Sequence, residues 1–293
     1  CRSTLAFITW RRSGLPFIEQ IHDFLHVPAE PASAGELEAL QAEMSALLGS
    51  MGYGGDLRSQ CAAWEDRNRV PAEQVPAVLE GLLDEAWTRT EERVMRIPRP
   101  RSDGMRVVPV SGVAFNARCN YPSRRIELNV DPVLTRPGLK HLAVHEGYPG
   151  HYLQFTLRST MAESGEASAD VLLSIVNSAS SSIFEGIGDS GITMLDWMES
   201  DDDRVQALMN AYRAGIGTEA AWQFHALGWS AQKVADSLAD RSLVGGDGWV
   251  ANRVKFIQSP ARAVLIWSYW WGERVVTKAW SRIGAYRRDS FLP

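Results

Sequence analysis

Apolar side chains recur at helical spacing along much of this chain, and the places where the period fails are as informative as the pattern itself. Residues 15–50 read as two helical segments, the second opening near Ser33 and carrying Leu37, Leu40, Met44 and Leu47 at helical spacing. Over residues 71–96, Val75, Val78, Leu79, Leu82, Leu83 and Trp87 trace an apolar stripe on a helix whose other face carries Glu and Arg. Further helices are expected over residues 138–160, 169–177, 183–198 and 260–283. Asp201, Asp202 and Asp203 mark another helix start, where the helix dipole favours carboxylates.

Two stretches break the period. Pro98, Pro100, Gly104 and Pro109 mark residues 97–112 as loop. Residues 113–130 then read as extended, with Ile126, Leu128 and Val130 alternating with Glu127 and Asn129 as in a half-buried strand. The expected fold class is therefore mainly α, a helical fold with a small β element ahead of the helix that carries the chemistry. The expected organisation is an N-terminal helical region over 1–112 and a helical catalytic region over 113–293, joined as one continuous structural unit.

Composition narrows the functional classes. The 293 residues are 45% hydrophobic and 22% charged with a net charge of -5 and no long run of one sign, which excludes an electrostatic nucleic-acid binder. No stretch approaches the ~20 apolar residues that span a bilayer. The eleven tryptophans, Trp267, Trp270 and Trp271 among them, read first as core packing and second as walls of a cleft. Cys1, Cys61 and Cys119 lack metal-type spacing and read as buried thiols rather than as a disulfide framework. A cytoplasmic location is favoured, with an exported or lipid-anchored form left open because the chain opens on Cys1.

The strongest chemical signal is His145-Glu146-Gly147-Tyr148-Pro149-Gly150-His151. A catalytic zinc takes three protein ligands and an open position, with a carboxylate nearby to receive a proton from the attacking water. The common helical solution places its two histidines four residues apart, whereas here the second follows six residues after the first. At about 100° per residue, that spacing leaves the two side chains roughly 120° apart on an ideal helix. A regular helix therefore cannot present both, and Gly147, Pro149 and Gly150 are where a local bulge would bring His151 back beside His145. His141 is a rival partner for His145, but Leu142 follows it where the base is needed, so a structural place, or one behind the ligands supporting them, suits it better. Glu185, an acid in an otherwise apolar helix, is the candidate third ligand, since burying it calls for a cation. Asp189, one turn later, is placed to hold the free ring N–H of a ligating histidine.

These residues resemble the signature of the bacterial domain-of-unknown-function family eight-eight-five, which is grouped with the gluzincin metallopeptidases. The resemblance covers roughly residues 113–272 and includes Glu185-Gly186 as the family's third-ligand element, Ser259-Pro260-Ala261-Arg262, and Tyr269-Trp270-Trp271-Gly272. It implies a zinc peptidase acting on a peptide or small amide, with His145, His151 and Glu185 as ligands and Glu146 as general base. It further implies that Tyr269 stabilises the oxyanion and that Arg262 binds a substrate carboxylate. By the same analogy the strand at residues 123–131, Asn129 included, pairs its backbone with substrate at a sheet edge. The chain departs from the family in Ile187-Gly188-Asp189-Ser190-Gly191, where a bulkier aromatic run is usual, and in a shorter N-terminal region. The alternatives are a metal enzyme acting on a small metabolite and a metal-free binding protein of the same fold.

Overall fold

The computed structural model describes residues 2–98, 105–113, 115–173 and 176–283; Cys1, Pro100 and Gly104 lie outside it. The fold is mainly α with a small three-stranded sheet. Twelve helices are found among the described residues: α1 (Arg2–Ser13), α2 (Phe17–Gln20), α3 (Ala34–Ser50), α4 (Leu57–Asn68), α5 (Val75–Arg93), α6 (Arg136–Leu142), α7 (His151–Glu163), α8 (Ala179–Met194), α9 (Asp201–His225), α10 (Ala231–Arg241), α11 (Gly246–Gln258) and α12 (Ile266–Arg282). The strands are β1 (Arg106–Val110), β2 (Ala117–Asn120) and β3 (Arg125–Asn129). None of these helices is long and apolar enough to cross a membrane.

The residues fall into two compact units that interleave along the sequence, where the pattern had suggested a linear boundary near residue 112. The first comprises Cys1–Val70, Val176–Ser182 and Glu199–Trp271. Its core brings Phe24, Leu37, Met44, Leu48 and Trp64 together with Met209, Tyr212, Ile216, Trp267 and Trp270. Trp267 and Trp270 thus act in packing, and the Trp267 indole N–H reaches the carbonyls of Ala29 and Glu30 at 3.2 Å. Local signals set the helix starts. Ser33 caps α3 with Glu36 as a reciprocal partner, and Ser200 does the same for α9 with Asp203, satisfying amides that the first turn leaves bare.

The second unit comprises Pro71–Ile175, Ile183–Met198 and Gly272–Pro293. Here α5 lays Leu79, Leu83 and Ala86, all fully buried, toward α6, β1 and the turn that follows α6. The sheet order is β1-β3-β2, with β1 parallel and β2 antiparallel to the central β3. Ile126 and Leu128 on β3 are fully buried, while Glu127 on the opposite face is held by Arg118, Arg125 and Asn120.

Three local expectations change. Residues 106–110, read as loop because of Pro109, form β1; proline is tolerated there because β1 is an edge strand and can spare one amide. The strand expected to offer its backbone to substrate, β3, is instead central, with both sides already paired. Asn129 is 1% exposed, donates to the Val113 carbonyl and accepts from the Asp131 amide, so its side chain is spent on the end of the strand. The helix expected over 169–177 is only the short turn Ala169–Leu172, with Leu173 extended; residues 174 and 175 lie outside the described residues.

Candidate metal centre

The His145–His151 segment is not one helix. The chain runs through α6 into a wide π-turn at Ala143–Gly147, leaves helical geometry at Tyr148, passes a cis Tyr148-Pro149 bond, and re-enters a helix at His151. Two hydrogen bonds record the widening: the Tyr148 amide reaches the Ala143 carbonyl at 3.2 Å, and the Gly150 amide reaches Val144 at 3.0 Å. These wide turns absorb the two residues by which the spacing exceeds a helical one. Gly150 is required at the crossing because a Cβ there would sit 1.9 Å from the His145 carbonyl oxygen. The result places the His145 and His151 rings 4.8 Å apart and nearly perpendicular.

Helix α8 brings the acids to the same place. Glu185 Oε2 lies 3.3 Å from His145 Nε2 and 3.5 Å from His151 Nε2. One turn on, Asp189 Oδ1 lies 2.8 Å from His145 Nδ1 and 3.5 Å from His141 Nε2. Gly188 makes the approach possible, since a Cβ there would fall 2.7 Å from His145 Nδ1. The Gln154 amide, donated to the Phe184 carbonyl at 3.1 Å, ties α7 to α8 just before Glu185.

Two donor sets share His145: His145, His151 and Glu185, and separately His141, His145 and Asp189. Glu185 decides between them. Its Oε2 is buried without a hydrogen-bond partner even though two imidazole nitrogens face it. A sealed carboxylate oxygen converging with two ring nitrogens, none bonded to another, is what a cation would satisfy. In the other set, Asp189 and His145 Nδ1 are already within hydrogen-bond distance of each other, which leaves His145 Nε2 turned toward Glu185. The first set therefore fits a divalent metal, with Asp189 and His141 behind it.

The charges are strongly coupled. Burial pushes the His145 imidazole down, but Asp189, Glu185 and Glu146 overcome it and raise it well above its ordinary range. His151 is likewise lowered by burial and raised, on balance, by Glu185. Burial would raise Glu185, yet His151 and His145 hold it down at about 2. Asp189 is held far below the carboxylate range by His145 and His141 against the same desolvation.

Glu146 is 6% exposed and stands outside both donor sets. Its Oε2 accepts the Cys119 backbone N–H at 2.7 Å, which turns the outer edge of β2 toward this carboxylate. Sequence reasoning missed this contact because it depends on which strand of the sheet is outermost. It also missed Glu273, whose carboxyl is pushed up to about 8 by burial and by the nearby Asp189. An acid in the tryptophan-rich α12 was the available signal. Tyr269 and Arg262 belong to the first unit: Arg262 is exposed in the turn before α12, and Tyr269 is half-buried.

No family model matches this chain, and no curated protein matches it. Two solved structures share its fold. One, from Colwellia psychrerythraea and titled a "putative lipoprotein", is 17% identical with a TM-score of 0.68; the alignment covers 96% of this chain and 49% of that one. The other, from Shewanella oneidensis and titled a "putative lipoprotein of unknown function", is 10% identical with a TM-score of 0.62, over 96% of this chain and 57% of that one. The chain thus spans about half the length of these proteins.

Proposed function

We propose that this protein is a metal-dependent hydrolase, a peptidase that uses a divalent ion held by His145, His151 and Glu185. The observation that carries the reading is the buried, unbonded Glu185 Oε2 facing two imidazole nitrogens. A two-histidine, one-carboxylate set suits zinc, which when bound supplies Lewis acidity that polarises a carbonyl and lowers the pKa of water. The remaining work falls to the chain's own residues. Asp189 holds His145 in the tautomer that leaves Nε2 free. Glu146, next in the chain to His145 and largely shielded from solvent, takes a proton from the attacking water and passes it to the departing amine. The outer edge of β2 offers an extended peptide a strand to pair with. The titles of the two related structures favour an exported, lipid-anchored location over a cytoplasmic one; membrane fractionation of cells that make the full-length protein tests this.

The direct test is Glu146→Gln. The variant should bind zinc at near 1:1 by elemental analysis and lose about 10²–10⁴-fold in hydrolysis of a peptide panel with free and blocked termini. Undiminished turnover in that variant, or wild-type protein that takes up no transition metal, would defeat the proposal.

A further inference from the structure

The first unit holds a second polar cluster that plays no part in the metal centre. Arg213 on α9 and Arg253 on α11 lie on the same indole, with guanidinium carbons 5.4 Å and 5.5 Å from the centre of Trp249. Arg253 also lies 5.9 Å from the Phe256 ring. Arg213 donates to the Val244 carbonyl at 2.9 Å, and Gly245, at φ +89, lets the chain pass over it. The groups facing the pair come from two further helices: Cys61 and Glu65 on α4, and Tyr269 on α12.

What the pair lacks is a direct ion pair. Arg241, on α10, shows the ordinary solution in the same unit, an ion pair with Glu219. Neither Arg213 nor Arg253 makes an ion pair among the described residues, and Arg253 Nε is buried with no hydrogen-bond acceptor. Burial, with the nearby Arg253 adding to it, lowers the pKa of Arg213 to about 10, and burial lowers that of Arg253 as well. Glu65 favours the charge on Arg213 from a distance without forming an ion pair with it, and burial pushes its own carboxyl up. Two unpaired guanidinium groups packed this way are costly unless something anionic joins them.

We infer that Arg213 and Arg253, backed by Trp249, form a binding site for a compact dianionic oxyanion of the phosphate type. Two positive charges call for a dianion rather than a carboxylate. The planar forks, fixed on one ring, suit an acceptor with several oxygens. The site would recognise either a free oxyanion or the phosphoryl group of a larger molecule.

The test titrates the full-length protein with inorganic phosphate at constant ionic strength, read by calorimetry and by thermal unfolding. Acetate and chloride serve as monoanionic controls, and the titration is repeated on His151→Ala so that the metal cluster cannot supply the signal. The expected result is saturable binding near one phosphate per chain that persists in His151→Ala. It should weaken by about tenfold or more in Arg253→Met and in Arg213→Met, and stay unchanged in Arg118→Met, which removes an arginine of the second unit. If the methionine variants do not fold, Arg253→Lys keeps the charge, loses the fork and should still bind more weakly. A wild-type protein with no saturable phosphate response overturns the inference, and so does a response that acetate or chloride matches. A phosphate response lost in His151→Ala also overturns it. Because the readout is phosphate binding, failure here leaves the hydrolase proposal standing, and failure of that proposal leaves this one intact.

Discussion

Gly188→Ala tests how tightly the second unit holds its histidines. The added Cβ would meet His145 Nδ1 at 2.7 Å and the neighbouring ring carbons Cγ and Cε1 at 3.0 Å. That is roughly 0.7 Å short of ordinary van der Waals contact. The ring has little room to retreat, because Nδ1 is engaged by Asp189 at 2.8 Å and the His151 ring stands 4.8 Å away. Metal–ligand distances tolerate about 0.2 Å, so a displacement of this size should weaken zinc binding by about 10–100-fold. The effect on folding is smaller because two terms oppose each other. Alanine gains about 1 kcal/mol over glycine inside a helix, while overpacking costs about 1–3 kcal/mol, for a net loss of about 0–2 kcal/mol. Gly81→Ala is the control: it lies in α5 with nothing within 4 Å of its would-be Cβ, and should gain about 1 kcal/mol with metal affinity unchanged. The assays are zinc titration of chelator-stripped protein by calorimetry and thermal unfolding of the metal-free form. If Gly188→Ala binds zinc within about threefold of wild type, under ~1 kcal/mol, the steric argument is refuted.

Asp189→Asn removes the charge that holds His145 and should lower zinc affinity by about 10–100-fold while the helical circular dichroism is retained; equal affinity would show that Asp189 does not orient the ligand. In metal-free protein His145 and His151 are raised, so their stabilisation is full below about pH 6.5 and is lost as pH rises through their folded values; Glu185 and Asp189 are depressed, so theirs is present above about pH 4 and is lost on acidification. Chelator-treated protein should therefore gain most from this cluster between about pH 4.5 and 6.5, where the double variant His145→Ala/Glu185→Ala should lose most in thermal midpoint; a loss independent of pH would contradict the coupling. Glu273 is a carboxyl raised to about 8, so the folded state is penalised as pH climbs from the unfolded value near 4.3. Glu273→Gln should accordingly stabilise the protein by about 1–3 kcal/mol at pH 8 and hardly at all at pH 4, as measured by urea unfolding.

Much of the candidate site was legible because its residue types have few other reasons to occur together. The pairing of His145 with Glu146, the out-of-period His151 and the acid Glu185 in an apolar helix each carry a cost or a geometry that single residues reveal. The helical period likewise located α3 and α5, and Ser33 and the Asp201–Asp203 patch marked the starts of α3 and α9. Other features were not legible, since they depend on neighbours far away in the chain. Pro109 looks like a loop residue until β1 is seen to be an edge strand, and β3 looks available until strands from both sides close on it. Local pattern also overstated the helix at 169–177, because apolar spacing by itself cannot tell a helix from a short turn.

The identity of the chemically costly residues, and the rule that no straight helix could present both His145 and His151, belong to the sequence, because side-chain chemistry and helix pitch are local properties. Which nitrogen faces Glu185, which strand edge meets Glu146, and why Gly188 and Gly150 must lack a Cβ were decided only by tertiary structure. Except at Gly150, whose clash is with the turn just before it, those are distances between segments tens of residues apart, set by how the helices and sheet of the second unit pack. The unpaired Arg213 and Arg253 make the same point. In sequence they are two ordinary cations, and only the packing of α9 and α11 brings both onto Trp249 without a direct ion pair.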